Sequence, residues 1–114
     1  YEKIACDIVK TIEKRDDVCV LASSDMDHYE SGDIVKQKDM LAVNKILNFD
    51  TEGFLDILMQ NDISVCGYSP IAVLLEIMKK LKVKKSKLVL HQTSGDVLED
   101  FSSVVGYAGV IFYR

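Results

Sequence analysis

Five consecutive apolar residues, Val18-Cys19-Val20-Leu21-Ala22, follow Asp17 and are closed by Ser23-Ser24. A short run without polar alternation reads as a β-strand over Asp17 to Ala22 that is buried on both faces. Such a strand needs neighbours at its edges and cover on its faces. Only two other strand candidates are present, Lys87 to Gln92 and Ser103 to Tyr113. Three strands are few for a layered α/β domain. The chain is therefore expected to be part of a larger sheet, or a subunit that borrows sheet from a partner.

The rest of the pattern is helical. Ile4, Ala5, Ile8, Val9 and Ile12 recur at helical spacing over Glu2 to Arg15. Lys38 to Asn48 repeats the pattern, and Asp50-Thr51 caps a further helix running to about Gln60. Ser69 as cap and Pro70 at the first helical position start another helix, over Ile71 to Leu81. A Ser94-Gly95-Asp96 turn separates the last two strands, and Gly106 and Gly109 mark a bulge or close backbone approach. The expected order is α-β-α-α-α-β-β, a single α/β domain over residues 1–114.

Composition narrows the classes. With 48% hydrophobic and 28% charged residues, the chain is neither fibrous nor disordered. No apolar run is long enough to span a bilayer, so no membrane partner is expected. The net charge of −4 disfavours a nucleic-acid partner. Lys79, Lys80, Lys82, Lys84, Lys85 and Lys87 crowd an acid-free stretch, leaving 8 basic residues against 18 acidic ones elsewhere. That stretch is an anion patch or a solvated helix end; without interleaved aromatics the second reading is favoured. Cys6, Cys19 and Cys66 show no paired or zinc-type spacing. Together with the absence of a signal-peptide pattern, this implies a reducing, cytoplasmic setting. The start at Tyr1 points to a processed chain or a piece of a longer one.

Chemistry concentrates in two segments. Asp25, Asp27 and His28 share the polar loop Ser23 to Gly32 at the carboxyl end of the first strand, the edge where open α/β sheets bind ligands. Carboxylate and imidazole there suit metal ligation or acid–base work, or form a solvated turn. Cys66 stands just ahead of a helix N-terminus, which favours a thiolate, although most free cysteines are small core residues. Cys6 and Cys19 read as core. His91, late in an apolar strand, reads as a satisfied core histidine. Ser94-Gly95-Asp96 reads as a plain turn rather than a ligand site. No phosphate loop, HExxH, GxSxG or EF-hand pattern is present.

Three segments together resemble one family. Ser-Ser-Asp-Met-Asp-His-Tyr (Ser23 to Tyr29), Cys-Gly-Tyr-Ser-Pro-Ile (Cys66 to Ile71), and Ser-Gly-Asp (Ser94 to Asp96) with Val-Val-Gly-Tyr-Ala (Val104 to Ala108) are similar to the Memo family. Its bacterial and archaeal members are called AmmeMemoRadiSam system protein B. The resemblance covers the whole chain but only the C-terminal part of a family member. It implies a partial α/β/α sandwich of the LigB-like, class III extradiol dioxygenase type, with a metal pocket at the strand ends.

By that resemblance Cys66 is a metal ligand, while Asp25 and His28 line the same pocket as catalytic groups, His28 as ligand or acid–base. Two further histidine ligands belong to the family's N-terminal portion, so His28, His91 or a partner chain would complete the set. The implied cofactor is a transition metal: iron, copper or zinc. A thiolate in place of the dioxygenase carboxylate favours copper or a redox role over ring cleavage. The implied function is a metal-centred redox protein acting on a small molecule. The alternatives are a peptide-binding adaptor, as eukaryotic Memo proteins are associated with phosphotyrosine peptides, or an inactive fragment. Unpaired sheet edges predict a homo-oligomer.

Overall fold

Ala5 and Val9, one turn apart, seat helix α1 (Glu2–Ile12) against the rest of the chain in a computed structural model that describes residues 1–114. The order continues β1 (His28–Glu30), α2 (Gly32–Leu47), α3 (Thr51–Gln60), α4 (Tyr68–Lys80), β2 (Lys85–Thr93), α5 (Gly95–Leu98) and β3 (Val104–Tyr113). The fold is mixed α/β. Its three strands lie in the order β1-β3-β2, all antiparallel.

The β2–β3 ladder runs from Lys85 opposite Tyr113 to Thr93 opposite Gly106, with its register shifting between Leu88 and Leu90 beside Gly109. One face of this ribbon carries Leu88, Ala108, Val110 and Phe112 onto a core built from α2, α3 and α4, including Val43, Ile46, Phe54 and Leu75. The other face leaves Tyr107, Ile111 and Tyr113 exposed. Helix α4 is apolar on two sides: Leu75 enters that core, while Ile77 joins Ala5 and Val9 of α1 in a second cluster. No helix is long and apolar enough to cross a membrane.

Asp50 caps α3 as the sequence implies, its Oδ1 accepting Gly53 N–H at 2.9 Å. The lysine run closes α4, where Lys79 pairs with Glu76 at 2.7 Å and Lys80 reaches Glu2 at 3.4 Å. That arrangement suits the negative pole of the helix dipole.

Several expectations are corrected. The run Asp17 to Ala22 is not a strand: no main-chain group of residues 16–24 is hydrogen-bonded to another main-chain group. Leu21 and Ala22 instead line an apolar groove with Ala108, Val110 and Phe112 of β3. The run makes no main-chain bond to the β3 edge it lies beside, and Leu21 stands 86% exposed. Cys19 is exposed rather than core, and Cys6 is half-buried on α1. Helix α2 begins at Gly32, a turn and a half before Lys38. Helix α4 begins at Tyr68 with Gly67 as its cap, and Ser69 makes no cap bond. The Ser69 hydroxyl lies 3.1 Å from that of Tyr1 instead. Ser94-Gly95-Asp96 opens the short helix α5.

Candidate metal centre

The loop before β1 is fastened to β3 by two main-chain bonds, Met26 N–H to Gly106 O at 2.8 Å and Gly106 N–H to Asp27 O at 2.9 Å. Beyond it, His28 pairs with Val105 and Glu30 with Val104, so Tyr29 is the extra residue of a bulge. Tyr29 adopts φ 62°, a left-handed conformation that costs a non-glycine residue roughly 1–2 kcal/mol. Bulges of this kind aim neighbouring side chains, and here the neighbour is His28.

Cys66 is brought alongside by the α3–α4 connection. Ser24 clamps the two segments: its hydroxyl accepts Gly67 N–H at 2.8 Å and donates to Asp25 O at 2.6 Å. The approach requires glycine at 67, because a Cβ there would lie 2.5 Å from that of Ser24. Asp25 N–H in turn points at Cys66 Sγ, 3.4 Å away.

The result is a cluster of three donors. The ligand atoms of Asp25, His28 and Cys66 all lie within 4.8 Å of one another. His28 Nε2 is 3.6 Å from Asp25 Oδ2. Cys66 and Asp25 are exposed and His28 is half-buried, so one side of the cluster is open to a ligand. Donors around one tetrahedral ion stand about 3.3–3.8 Å apart, from bond lengths of 2.0–2.3 Å. The cluster therefore needs to contract by about 1 Å to hold a metal, within reach of side-chain rotation. A thiolate with an imidazole and a carboxylate fits copper, zinc or iron.

Behind these donors lies a buried polar network that sequence reasoning missed. Asp27 is 1% exposed and its Oδ1 accepts both the N–H of Ser64 at 2.9 Å and its hydroxyl at 3.0 Å. The Ser64 hydroxyl oxygen accepts His28 N–H at 2.9 Å. Asp27 N–H donates to Asp39 Oδ1 at 2.9 Å, and Asp39 Oδ2 meets His91 Nε2 at 2.6 Å. The available signal was Asp39 itself: it occupies a core position of α2 between Val35 and Val43, where a carboxylate demands partners.

The carboxyl groups divide the charge among them. Burial pushes Asp27 up, but hydrogen bonds from Glu30 and Ser64 and the charge of Lys38 outweigh it and hold Asp27 below its ordinary value. Hydrogen bonding to Asp27 raises Glu30, against the opposing Lys38 ammonium 3.0 Å away. The two carboxyl groups are thus shifted in opposite directions, Asp27 down and Glu30 up. Burial raises Asp39, with His91 opposing.

Of the residues singled out from sequence, Asp25, His28 and Cys66 come together. His91 does not join them and is the satisfied core histidine, bonded to Asp39. Ser94 and Asp96 serve the turn: Ser94 Oγ accepts Val105 N–H at 3.1 Å and Asp96 Oδ2 accepts Thr93 N–H at 2.8 Å.

The chain is similar in sequence to known proteins along most of its length. The family model described as Memo-like protein matches residues 1–111. A MEMO1 family protein of Ignicoccus hospitalis is 48% identical over 96 residues, 84% of this chain and 34% of that protein. One from Desulfurococcus amylolyticus is 45% identical over 96 residues, with the same shares covered. One from Sulfolobus acidocaldarius is 43% identical over 112 residues, 97% of this chain and 39% of that protein. The chain spans a little over a third of the length of these curated relatives. Matched across nearly all of its residues, it belongs to the Memo-like family.

Proposed function

We propose that this chain contributes the Cys66–His28–Asp25 face of a transition-metal redox centre in a Memo-like protein. The observation that carries the reading is the convergence of three chemically different donor atoms within 4.8 Å at an open surface, from segments 41 residues apart in sequence at Asp25 and Cys66. Exposed acidic pairs are common on protein surfaces. A thiol facing both an imidazole and a carboxylate, with main-chain and hydroxyl groups fixing its position, is not a typical solvated turn.

In this reading Cys66 is the anionic soft ligand and His28 Nε2 the second donor. Asp25 sits 3.6 Å from His28 Nε2, where its carboxylate orients the ring or holds its proton. The Asp25 N–H, aimed at Cys66 Sγ, stabilises the thiolate and draws electron density from it. Bound copper or iron would supply one-electron chemistry at the open side of the cluster. Thiolate ligation favours that role, or zinc binding, over extradiol ring cleavage. The remainder of the longer relatives would add donors or a substrate wall.

The test is metal content after anaerobic reconstitution with Fe(II), Zn(II) or Cu(I). Near-stoichiometric metal that is lost in Cys66→Ala and kept in Cys19→Ala is expected. Equal metal in the two variants would overturn the proposal.

A further inference from the structure

Asp25 and His28 lie on one segment and Cys66 on another, and Asp27, buried within the first, bonds across to Ser64 of the second. We propose that Asp27, backed by Asp39, is the positioning residue that sets the distance between the two halves of the candidate centre. This inference rests on the metal-centre reading above for its consequence, though not for its geometry.

Asp27 Oδ1 holds both the N–H and the hydroxyl of Ser64, two residues before Cys66, at 2.9 and 3.0 Å. The same Ser64 oxygen accepts the N–H of His28 at 2.9 Å, so His28 is tied into the bridge. The main chain of Asp27 is fixed in turn. Its N–H donates to Asp39 Oδ1 at 2.9 Å and its carbonyl accepts Gly106 N–H at 2.9 Å. Asp39 is wholly buried and locked by His91 at 2.6 Å. The chain of bonds runs from β2 through α2 to the β1 loop and on to the α3–α4 connection. The Asp27–Asp39 bond is buried and the Asp27–Ser64 and Asp39–His91 bonds are half-buried, so their loss leaves unpaired partners away from water. The His28–Ser64 bond lies at the exposed end of the chain.

Removing such an outer group from a metal site lowers affinity roughly 10–100-fold without touching the ligands. The bridge acts through a hydrogen-bond acceptor, so an amide oxygen can replace the carboxylate oxygen. That separates positioning from charge.

The experiment measures Zn(II) affinity by competition with a chromophoric chelator in the parent, Asp27→Ala and Asp27→Asn. Each protein is first checked for cooperative thermal unfolding. Asp27→Ala is expected to bind Zn(II) roughly 10–100-fold more weakly, with Asp27→Asn recovering most of the loss. Parental affinity in a folded Asp27→Ala, or an equal loss in both variants, overturns the inference. Should Asp27→Ala fail to fold, Ser64→Ala carries the test: it removes the hydroxyl bridge, and unchanged affinity overturns the inference.

A second readout needs no metal. In a Cys6→Ala, Cys19→Ala background, Asp25→Cys places a second thiol beside Cys66. The rate of disulfide formation at a fixed concentration of glutathione disulfide, which is reduced to two glutathione thiols as the protein disulfide forms, then reports how closely the two segments are held. Adding Asp27→Ala is expected to slow it several-fold and adding Asp27→Asn is not; equal rates overturn the inference. A parent that binds no zinc but shows this rate difference would sink the metal-centre reading and leave the positioning role standing.

Discussion

The carboxylate of Asp39 and the imidazole of His91 meet at 2.6 Å between helix α2 and strand β2, with Asp39 wholly buried. Burial raises the Asp39 carboxyl and His91 opposes the rise. The native state therefore holds this proton more firmly than the unfolded chain does. The contribution to stability is complete below the ordinary aspartate value of 3.8 and is lost as pH rises through the folded value. Asp39→Asn removes it. Urea midpoints taken from about pH 3 upward should show the parent losing ground relative to Asp39→Asn as pH rises. A pH-independent difference would contradict the assignment.

Gly106 faces the same carboxylate, and a Cβ there would overlap Asp39 Oδ2 and come 2.9 Å from Val35 Cγ1. Both neighbours are buried and cannot yield cheaply. Gly106→Ala should cost about 1–3 kcal/mol in chemical denaturation. It should also weaken Zn(II) binding, because Asp27 O and Met26 N–H bond to the same residue.

Asp50 is an independent case. The Gly53 N–H it accepts holds its carboxyl below the ordinary range. Its contribution is present at neutral pH and lost as pH falls through the folded value. Asp50→Ala should cost about 1 kcal/mol at pH 7, and Asp50→Asn much less. Denaturation of the three proteins at pH 7 and at low pH checks both statements.

The unpaired run at residues 16–24 predicts self-association. Leu21 is 86% exposed at the rim of an apolar groove lined with Val110 and Phe112. A second copy can pair with that edge. Sedimentation should show concentration-dependent dimers that Leu21→Lys diminishes. Monomers at every concentration in the parent would contradict this.

How much of this was legible depended on whether the cause was local. Helices α1, α3 and α4 announce themselves by spacing, α3 also by its Asp50 cap, whereas the Ser69 cap of α4 is not made. Cys66, His28 and Asp25 stand out by residue type, although the strand expected to lead into Asp25 and His28 is absent. The run Val18 to Ala22 misled because apolar composition specifies burial, whereas a strand also needs a partner, and no neighbouring strand accepts its main chain. Strand β1 was illegible for the opposite reason: three residues are held in place by bonds to Gly106 and by the left-handed Tyr29. The Asp27–Ser64 and Asp39–His91 contacts join positions 37 and 52 residues apart. Nothing in local pattern encodes such pairs, although a carboxylate in the apolar stripe of α2 signals that one exists.

The most direct test of the central claim is X-ray absorption at the zinc edge of the reconstituted chain. One sulfur scatterer at about 2.3 Å beside nitrogen and oxygen donors is expected, present in Cys19→Ala and absent in Cys66→Ala. A first shell of nitrogen and oxygen alone in the parent, unchanged by Cys66→Ala, would contradict it.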